Sequence, residues 1–400
     1  MISSRPATEN DSVVGVMPKV VCLPDTVDDA ASRIAESERT GESLAFIGGG
    51  TDLEIGSPPD RLDVVIRTER LDRVIEHAPS DQIITVEAGM TLTRLQSVAG
   101  AHGQRLALDP PLADRATIGG IIAANAFGPL RTRYGSVRDL IIGISIIRAD
   151  GVIARGGGKV VKNVAGFDLP KLMVGSLGTL GMIATATFRL HPLPEASETL
   201  LIKNQSASDL RNLMAEMKRM QLEAAALAAI TVGPRFDVAV RFEGFRTGVV
   251  DQRERLRSLI AVCELLDPVG EQRFWRRHDE IRAAGPMRLK IAALPSAIEL
   301  VMRDVVPPLR GLLAAGGFIW YPKLGLGFLT GATTADQEIA AAIRKARETL
   351  ALTIEAAPLG VRKLANSWGE PGAALPLMHA MKQRFDPTRR LSPGRFVGGI

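Results

Sequence analysis

Apolar and polar positions follow two rhythms along the first 190 residues. Short β-branched runs, KVVCLP at 19–24, LAFI at 44–47, LDVVIRT at 62–68 and QIITVEAG at 82–89, predict strands. Stretches with a 3.6-residue period alternate with them. DTVDDAASRIAESERTG predicts a helix opened by Asp25 or Thr26 and stopped at Gly41. TLTRLQSVAGAHG predicts another, with Leu92, Leu95 and Val98–Ala99 on its apolar face and Gly100 or Gly103 closing it. SVRDLIIGISIIRADGVI predicts a hairpin turning at Asp150–Gly151, and MIATATFRLHP a strand ended by Pro192.

The Pro-rich, polar HPLPEASE at 191–198 reads as a domain boundary. Beyond it, 208–230 reads as a helix, 232–244 as strands around a turn and 251–266 as a further helix. The pattern is α+β with few parallel crossovers. It divides the chain into a first domain at 1–195, a second, α/β-layered one at 196–370, and a C-terminal segment at 371–400.

At 400 residues with 46% hydrophobic composition, the chain is long enough for two cores. Its net charge of +5 suits an anionic ligand, but 4% aromatic residues leave few rings to stack on bases, and nucleic acid is not the expected partner. The basic stretch RFWRRHDEIR at 273–282 mixes signs and reads as a solvated helix face or a protein-partner surface. Two cysteines, Cys22 and Cys263, cannot build a four-cysteine iron–sulfur cluster or zinc site, and no metal site is expected. The longest apolar run, LIIGISII at 140–147, is too short to span a bilayer, so a cytoplasmic location is expected, with membrane association only through partners.

Four glycine-rich stations stand out: FIGGGTDLE at 46–54, DPPLADRATIGGIIAANAFGP at 109–129, GGGKVVKNVAG at 156–166 and GSLGTLG at 175–181. Glycine lets main-chain N–H groups converge on an anion with no Cβ in the way. One such loop is an ordinary turn; four in one domain point to a large phosphorylated cofactor. The P-loop spacing is absent, and GSLGTLG has glycines at every third position rather than the Rossmann spacing.

GGGTDLE, then ATIGGIIAAN with GPLRTRYGSVRDLIIG, then GGKVVKNVAGFDLPKLMVGSLGTLGMI resemble, in that order, the FAD-binding domain of the vanillyl-alcohol-oxidase or PCMH type. Together with FDPTRRLSPGRF at the C-terminus and RLKIAALPS at 288–296, they resemble most closely the FAD-binding E-subunit family of bacterial glycolate oxidases. The resemblance implies a two-subdomain PCMH-type FAD-binding domain, a smaller α/β cap domain and a C-terminal return to the first domain. It implies that Gly48, Gly49, Gly50, Thr51 and Asp52 cradle the pyrophosphate. Pro111, Thr117, Ile118, Gly119, Gly120, Asn125 and Gly128 would follow the pyrophosphate and the flavin ring, joined by Gly135, Ser136, Lys162 and Asn163. Gly178, Gly181, Met182 and Ile183 would pass the adenosine half, and Ser392 would return to the flavin. Thr117 and Asn125 have helix capping as their alternative, Arg138 and Asp139 a surface pair, and Asp168 reads as the cap of LPKLMVG. Covalent attachment through the first loop uses a histidine in relatives; Asp52 stands there, so non-covalent FAD is expected.

The resemblance further implies oxidation of glycolate to glyoxylate, with electrons leaving to a catalytic flavoprotein D subunit and an iron–sulfur F subunit. The alternative is a subunit that relays electrons or supports the complex with no substrate chemistry of its own. Such chemistry needs a base for the hydroxyl proton and a cation for the carboxylate. The sequence does not single out a catalytic residue. His278, on a charged helix, reads as a solvated surface group. Arg288 and Lys290 alternate on a strand and share one face, suited to binding a carboxylate or to a sheet edge.

Overall fold

The computed structural model describes residues 3–158, 168–260 and 262–400. They fall into two compact units. The first comprises Met1–Phe127, Ser136–Leu193 and Glu370–Ile400; the second comprises Gly128–Gly135 and Pro194–Gly369.

The first unit holds two main sheets. In one, the strands run in the order Ser3–Arg5, Val20–Leu23, Val64–Arg67, Leu44–Ile47, the last three mutually parallel. The expected helix lies at Val27–Thr40, where Thr26 and Asp29 form a reciprocal capping box and Gly41 ends it at φ +71°. The other sheet is antiparallel, in the order Val74–Ala78, Ile83–Glu87, Met182–Arg189, Ile141–Ile147, Ile153–Gly157. Ile147, Met182 and Ala184 from this sheet pack with Val64 and Ile66 of the first and with Ile34 of the helix Val27–Thr40, so the two subdomains share an apolar seam. Each of the isoleucine, valine and methionine side chains contributes roughly 1.5–3 kcal/mol by leaving water.

One sequence reading changes here and one holds. Val137–Leu140, expected as strand, is a short helix, because Ser136 and Asp139 cap it reciprocally before the strand begins at Ile141. The turn at Asp150–Gly151 holds, with Gly151 at φ +78° and its amide donating to Arg148.

In the second unit, eight antiparallel strands form one sheet in the order Glu264–Leu265, Ala196–Gln205, Arg235–Gly244, Ala226–Val232, Phe318–Tyr321, Leu326–Gly331, Met287–Ala292, Ala351–Ala356. Helices Ala207–Arg219, Arg246–Leu259 and Asp336–Arg347 pack their apolar faces on a core that includes Leu200, Val240, Trp320, Leu289 and Ile354. The helix expected over 208–230 therefore ends at Arg219. Gln221 adopts φ +54°, and the alanine-rich ALAAI, compatible with either state, becomes a central strand buried on both faces. Similarly, the helix expected to reach 266 ends at Leu259, and Glu264–Leu265 pairs at the sheet edge. Gly128–Gly135, within the expected first domain, packs with the second unit, where the Arg133 guanidinium donates to the Glu243 carbonyl at 2.7 Å.

Candidate cofactor site

Strand Leu44–Ile47 delivers the first glycine loop to one end of a cleft in the first unit. Gly48, Gly49, Gly50, Thr51 and Asp52 line it, with Gly50 at φ +72°. Among the described residues, the main-chain N–H groups of Gly48 through Thr51 have no protein acceptor. A Cβ on Gly48 would lie 2.0 Å from Thr117 Oγ1, and one on Gly49 only 1.6 Å from the Arg115 carbonyl oxygen. Glycine is thus required by the close approach of the second loop.

That second loop begins the helix Ile118–Ala124. Thr117 is its N-cap, its hydroxyl accepting from Gly120 N–H at 3.3 Å, while Ile118 and Gly119 donate their N–H groups to Met90 and Ala88. The first three N–H groups of this helix are therefore satisfied within the protein. Gly119 and Gly120 contribute smooth surface to the cleft, beside Ala123 and Ala124. Gly178, Gly181, Met182 and Ile183 line a further wall, with Gly178 at φ +76° and a prospective Cβ 3.1 Å from the Phe46 ring.

The C-terminal segment closes this wall. Leu44 N–H donates to the Arg390 carbonyl and Ser392 N–H to the Leu44 carbonyl, extending the strand that feeds the first loop. Arg395 lines the cleft and grips that loop, donating to the Leu53 and Ile55 carbonyls at 2.7 and 3.3 Å. Lys382 holds both walls. Its buried ammonium donates to the Thr179 and Leu391 carbonyls and to Asp386, at 2.8, 2.9 and 2.8 Å. Burial pushes the Lys382 pKa down, against the opposing pull of Asp386.

Twelve of the sequence-derived residues thus meet on one cleft. Others lie elsewhere. Ile118 belongs to the apolar core, Pro111 sits in the turn before the second loop, and Ser136 caps its short helix with Asp139. Gly128 and Gly135 belong to the second unit. Lys162 and Asn163 lie outside the described residues. Asp168 caps Leu169–Met173 and pairs with Lys171, as its neighbouring sequence suggests. Asn125 is the left-handed C-cap of the cleft helix and Ser392 sits at φ +44°. Both are absent from the lining, yet Asn125 Oδ1 and Ser392 Oγ are buried with no acceptor or donor partner among the described residues. Sequence reasoning missed Phe46, Leu53, Thr68 and Ala88 of the lining, as well as Arg395, although Arg395 stood inside a motif already noted.

A glycine cradle with unsatisfied N–H groups, an adjacent arginine and two orphaned polar atoms fits a cofactor carrying a pyrophosphate and a polar ring. The fold is of the PCMH type. Residues 18–157 match the FAD binding domain family, and the cofactor is FAD. Over nearly its full length the chain is similar to the glycolate oxidase subunit GlcE of Escherichia coli: 29% identical over 366 residues, covering 89% of this chain and 93% of that protein. It is 33% identical over 221 residues to the D-lactate dehydrogenase of Archaeoglobus fulgidus, spanning 54% of this chain but only about half, 49%, of that enzyme. Among solved structures, substrate-bound p-cresol methylhydroxylase shares the fold with a TM-score of 0.74 at 14% identity, over 95% of this chain and 89% of its own.

The second unit corrects the reading of His278. It is fully buried, with Nε2 2.8 Å from the Tyr321 hydroxyl and Nδ1 2.9 Å from Asp279 Oδ1; burial pushes its pKa down, partly opposed by Asp279. The helix Pro268–Ala283 turns Phe274 and His278 inward, so the charged stretch is only partly a solvated face. Strand Met287–Ala292 is flanked on both sides by other strands, which removes the sheet-edge reading of Arg288 and Lys290. Among the described residues, no group of three His, Cys, Asp or Glu side chains is placed to hold a metal ion, and no helix is long and apolar enough to cross a membrane.

Proposed function

We propose that this chain is the FAD-carrying subunit of a complex that oxidises small 2-hydroxy acids, glycolate to glyoxylate being the foremost case. Electrons then pass to an iron–sulfur partner, because two cysteines in this chain cannot hold a cluster. The observation that carries the reading is the glycine-lined cleft in a chain matching 93% of a glycolate oxidase subunit.

In this reading the N–H groups of Gly48–Thr51 bind the pyrophosphate oxygens, and Arg395 fixes the loop that presents them. Gly119, Gly120 and Gly178 allow close approach of the planar ring systems, while Ser392 and Asn125 supply side-chain hydrogen bonds. Asp52 leaves the cofactor non-covalent. The chemistry that FAD supplies when bound is acceptance of a hydride from the carbon bearing the hydroxyl.

A second reading, an electron relay without substrate chemistry, is favoured by His278: both ring nitrogens are engaged in hydrogen bonds, so it is not a free base. The discriminating experiment is the visible spectrum of the purified chain before and after anaerobic glycolate. Bleaching supports the first reading; flavin bands that persist until a partner is added support the second. Absence of flavin even after reconstitution overturns both.

A further inference from the structure

We infer that Arg115 makes this cleft selective for a diphosphate-bearing cofactor, acting as a positioning residue through the Gly49–Gly50 peptide of the first glycine loop. The inference deepens the reading above and rests on the pyrophosphate contact proposed there for Gly48–Thr51.

Arg115 meets the loop twice. A Cβ built on Gly49 would lie 1.6 Å from the Arg115 carbonyl oxygen, so the two backbones are in direct contact. The guanidinium then turns to the next carbonyl, Nη2 donating to the Gly49 oxygen at 3.4 Å. A trans peptide points its carbonyl and its N–H in opposite directions. The Gly50 N–H is therefore directed away from the guanidinium, and it has no protein acceptor among the described residues. Gly50 itself lines the cleft. Drawing electron density toward the Gly49 oxygen strengthens that N–H as a donor to an anion.

The turn that carries Arg115 is pinned. Leu112, at φ +59°, accepts from the N–H groups of Arg115 and Ala116 at 2.9 and 2.8 Å. Leu92 N–H donates to the Ala116 carbonyl and Thr93 N–H to the Ala113 carbonyl. The adjacent carboxylate is engaged by the helix, Asp114 accepting from the Thr93 hydroxyl at 2.8 Å. Among the described residues Arg115 makes no ion pair, and its side chain is exposed. Arg395 differs, because it is buried and grips the far end of the loop through the Leu53 and Ile55 carbonyls. Replacing Arg115 therefore removes a charge and a polarising hydrogen bond from the loop while leaving the packing of the unit in place.

The test is fluorescence titration of the flavin-stripped full chain with FAD, with ADP, which carries the diphosphate without the flavin, measured as its competitor. Arg115→Gln is expected to weaken FAD and ADP alike, about three- to tenfold. Arg115→Lys is expected to retain part of the affinity for both, and Arg39→Gln, at an exposed position in the same unit, to change neither. Added salt is expected to weaken FAD binding less steeply in Arg115→Gln than in wild type, and the melting temperatures of the flavin-free proteins to agree. Equal FAD and ADP affinities in Arg115→Gln and wild type overturn this inference and leave the cofactor reading standing. So does a loss confined to FAD, or wild-type protein that binds FAD without competition from ADP. A wild-type chain that binds neither overturns the cofactor reading and this inference with it.

Discussion

Lys382 and Asp386 form an ion pair 2.8 Å long, with both side chains almost completely withdrawn from water. Asp386 also accepts from the main-chain N–H groups of Arg390 and Leu391, so the pair organises the turn that returns the C-terminal segment to the cleft. Lys382→Met removes three hydrogen bonds and leaves the buried Asp386 carboxylate with main-chain donors but no counter-charge. The expected loss is about 3–5 kcal/mol of unfolding free energy, recovered in part by Lys382→Met with Asp386→Leu. Chemical denaturation checks the stability, and flavin fluorescence titration checks the accompanying loss of FAD affinity.

Ser392 separates cofactor binding from folding. Its hydroxyl is buried with no partner among the described residues, so Ser392→Ala is expected to leave the stability of the protein without FAD unchanged or slightly raised. If the hydroxyl bonds FAD, the same substitution weakens the cofactor by about 1 kcal/mol, roughly fivefold in dissociation constant. Equal FAD affinity in both proteins removes Ser392 from the cofactor contacts.

The first loop tolerates no side chain at Gly49. Gly49→Ala would set a methyl carbon 1.6 Å from the Arg115 carbonyl oxygen, and either loop must move. FAD affinity is expected to fall by more than about tenfold, ~1.4 kcal/mol. Gly100→Ala is the control, because it ends the helix Leu92–Gly100 with open space around its Cβ. It is expected to stabilise the protein by up to about 1 kcal/mol and leave FAD binding intact.

These loops were visible in the amino-acid sequence because glycine clusters between strands have few other uses. Arg395 was not, because its role depends on the strand-like contact of Ser392 with Leu44, across 348 residues. The same difficulty hid His278. The helix Pro268–Ala283 has charges nearly all round, and only its packing against Phe318–Tyr321 decides which face turns inward. ALAAI at 226–230 continued a helical composition without interruption, and its place as a central strand comes from the partners on either side. Cofactor class was therefore a local property of the chain, whereas the supporting contacts were long-range.

His278 makes stability depend on pH. The unfolded imidazole takes up a proton near pH 6.5, whereas burial holds the folded ring neutral to a lower pH. Below 6.5 the unfolded state therefore binds a proton that the folded state does not, and stability declines as the pH falls. Denaturant midpoints measured from pH 7.5 to 5 are expected to fall, and to fall less steeply in His278→Gln. Parallel slopes for the two proteins would show that other groups carry the dependence.

The return of residues 390–395 to the strand Leu44–Ile47 has a consequence for synthesis. Gly48–Thr51 emerge from the ribosome early, but Ser392 and Arg395, which complete the wall beside them, are translated more than 340 residues later. The wall that Arg395 contributes to the cleft is therefore missing during most of translation, and is added only after the second unit has been made. Flavin uptake then reports that residues up to at least Arg395 are in place, and a nascent chain stopped before Leu391 would carry every glycine station without the segment that joins them.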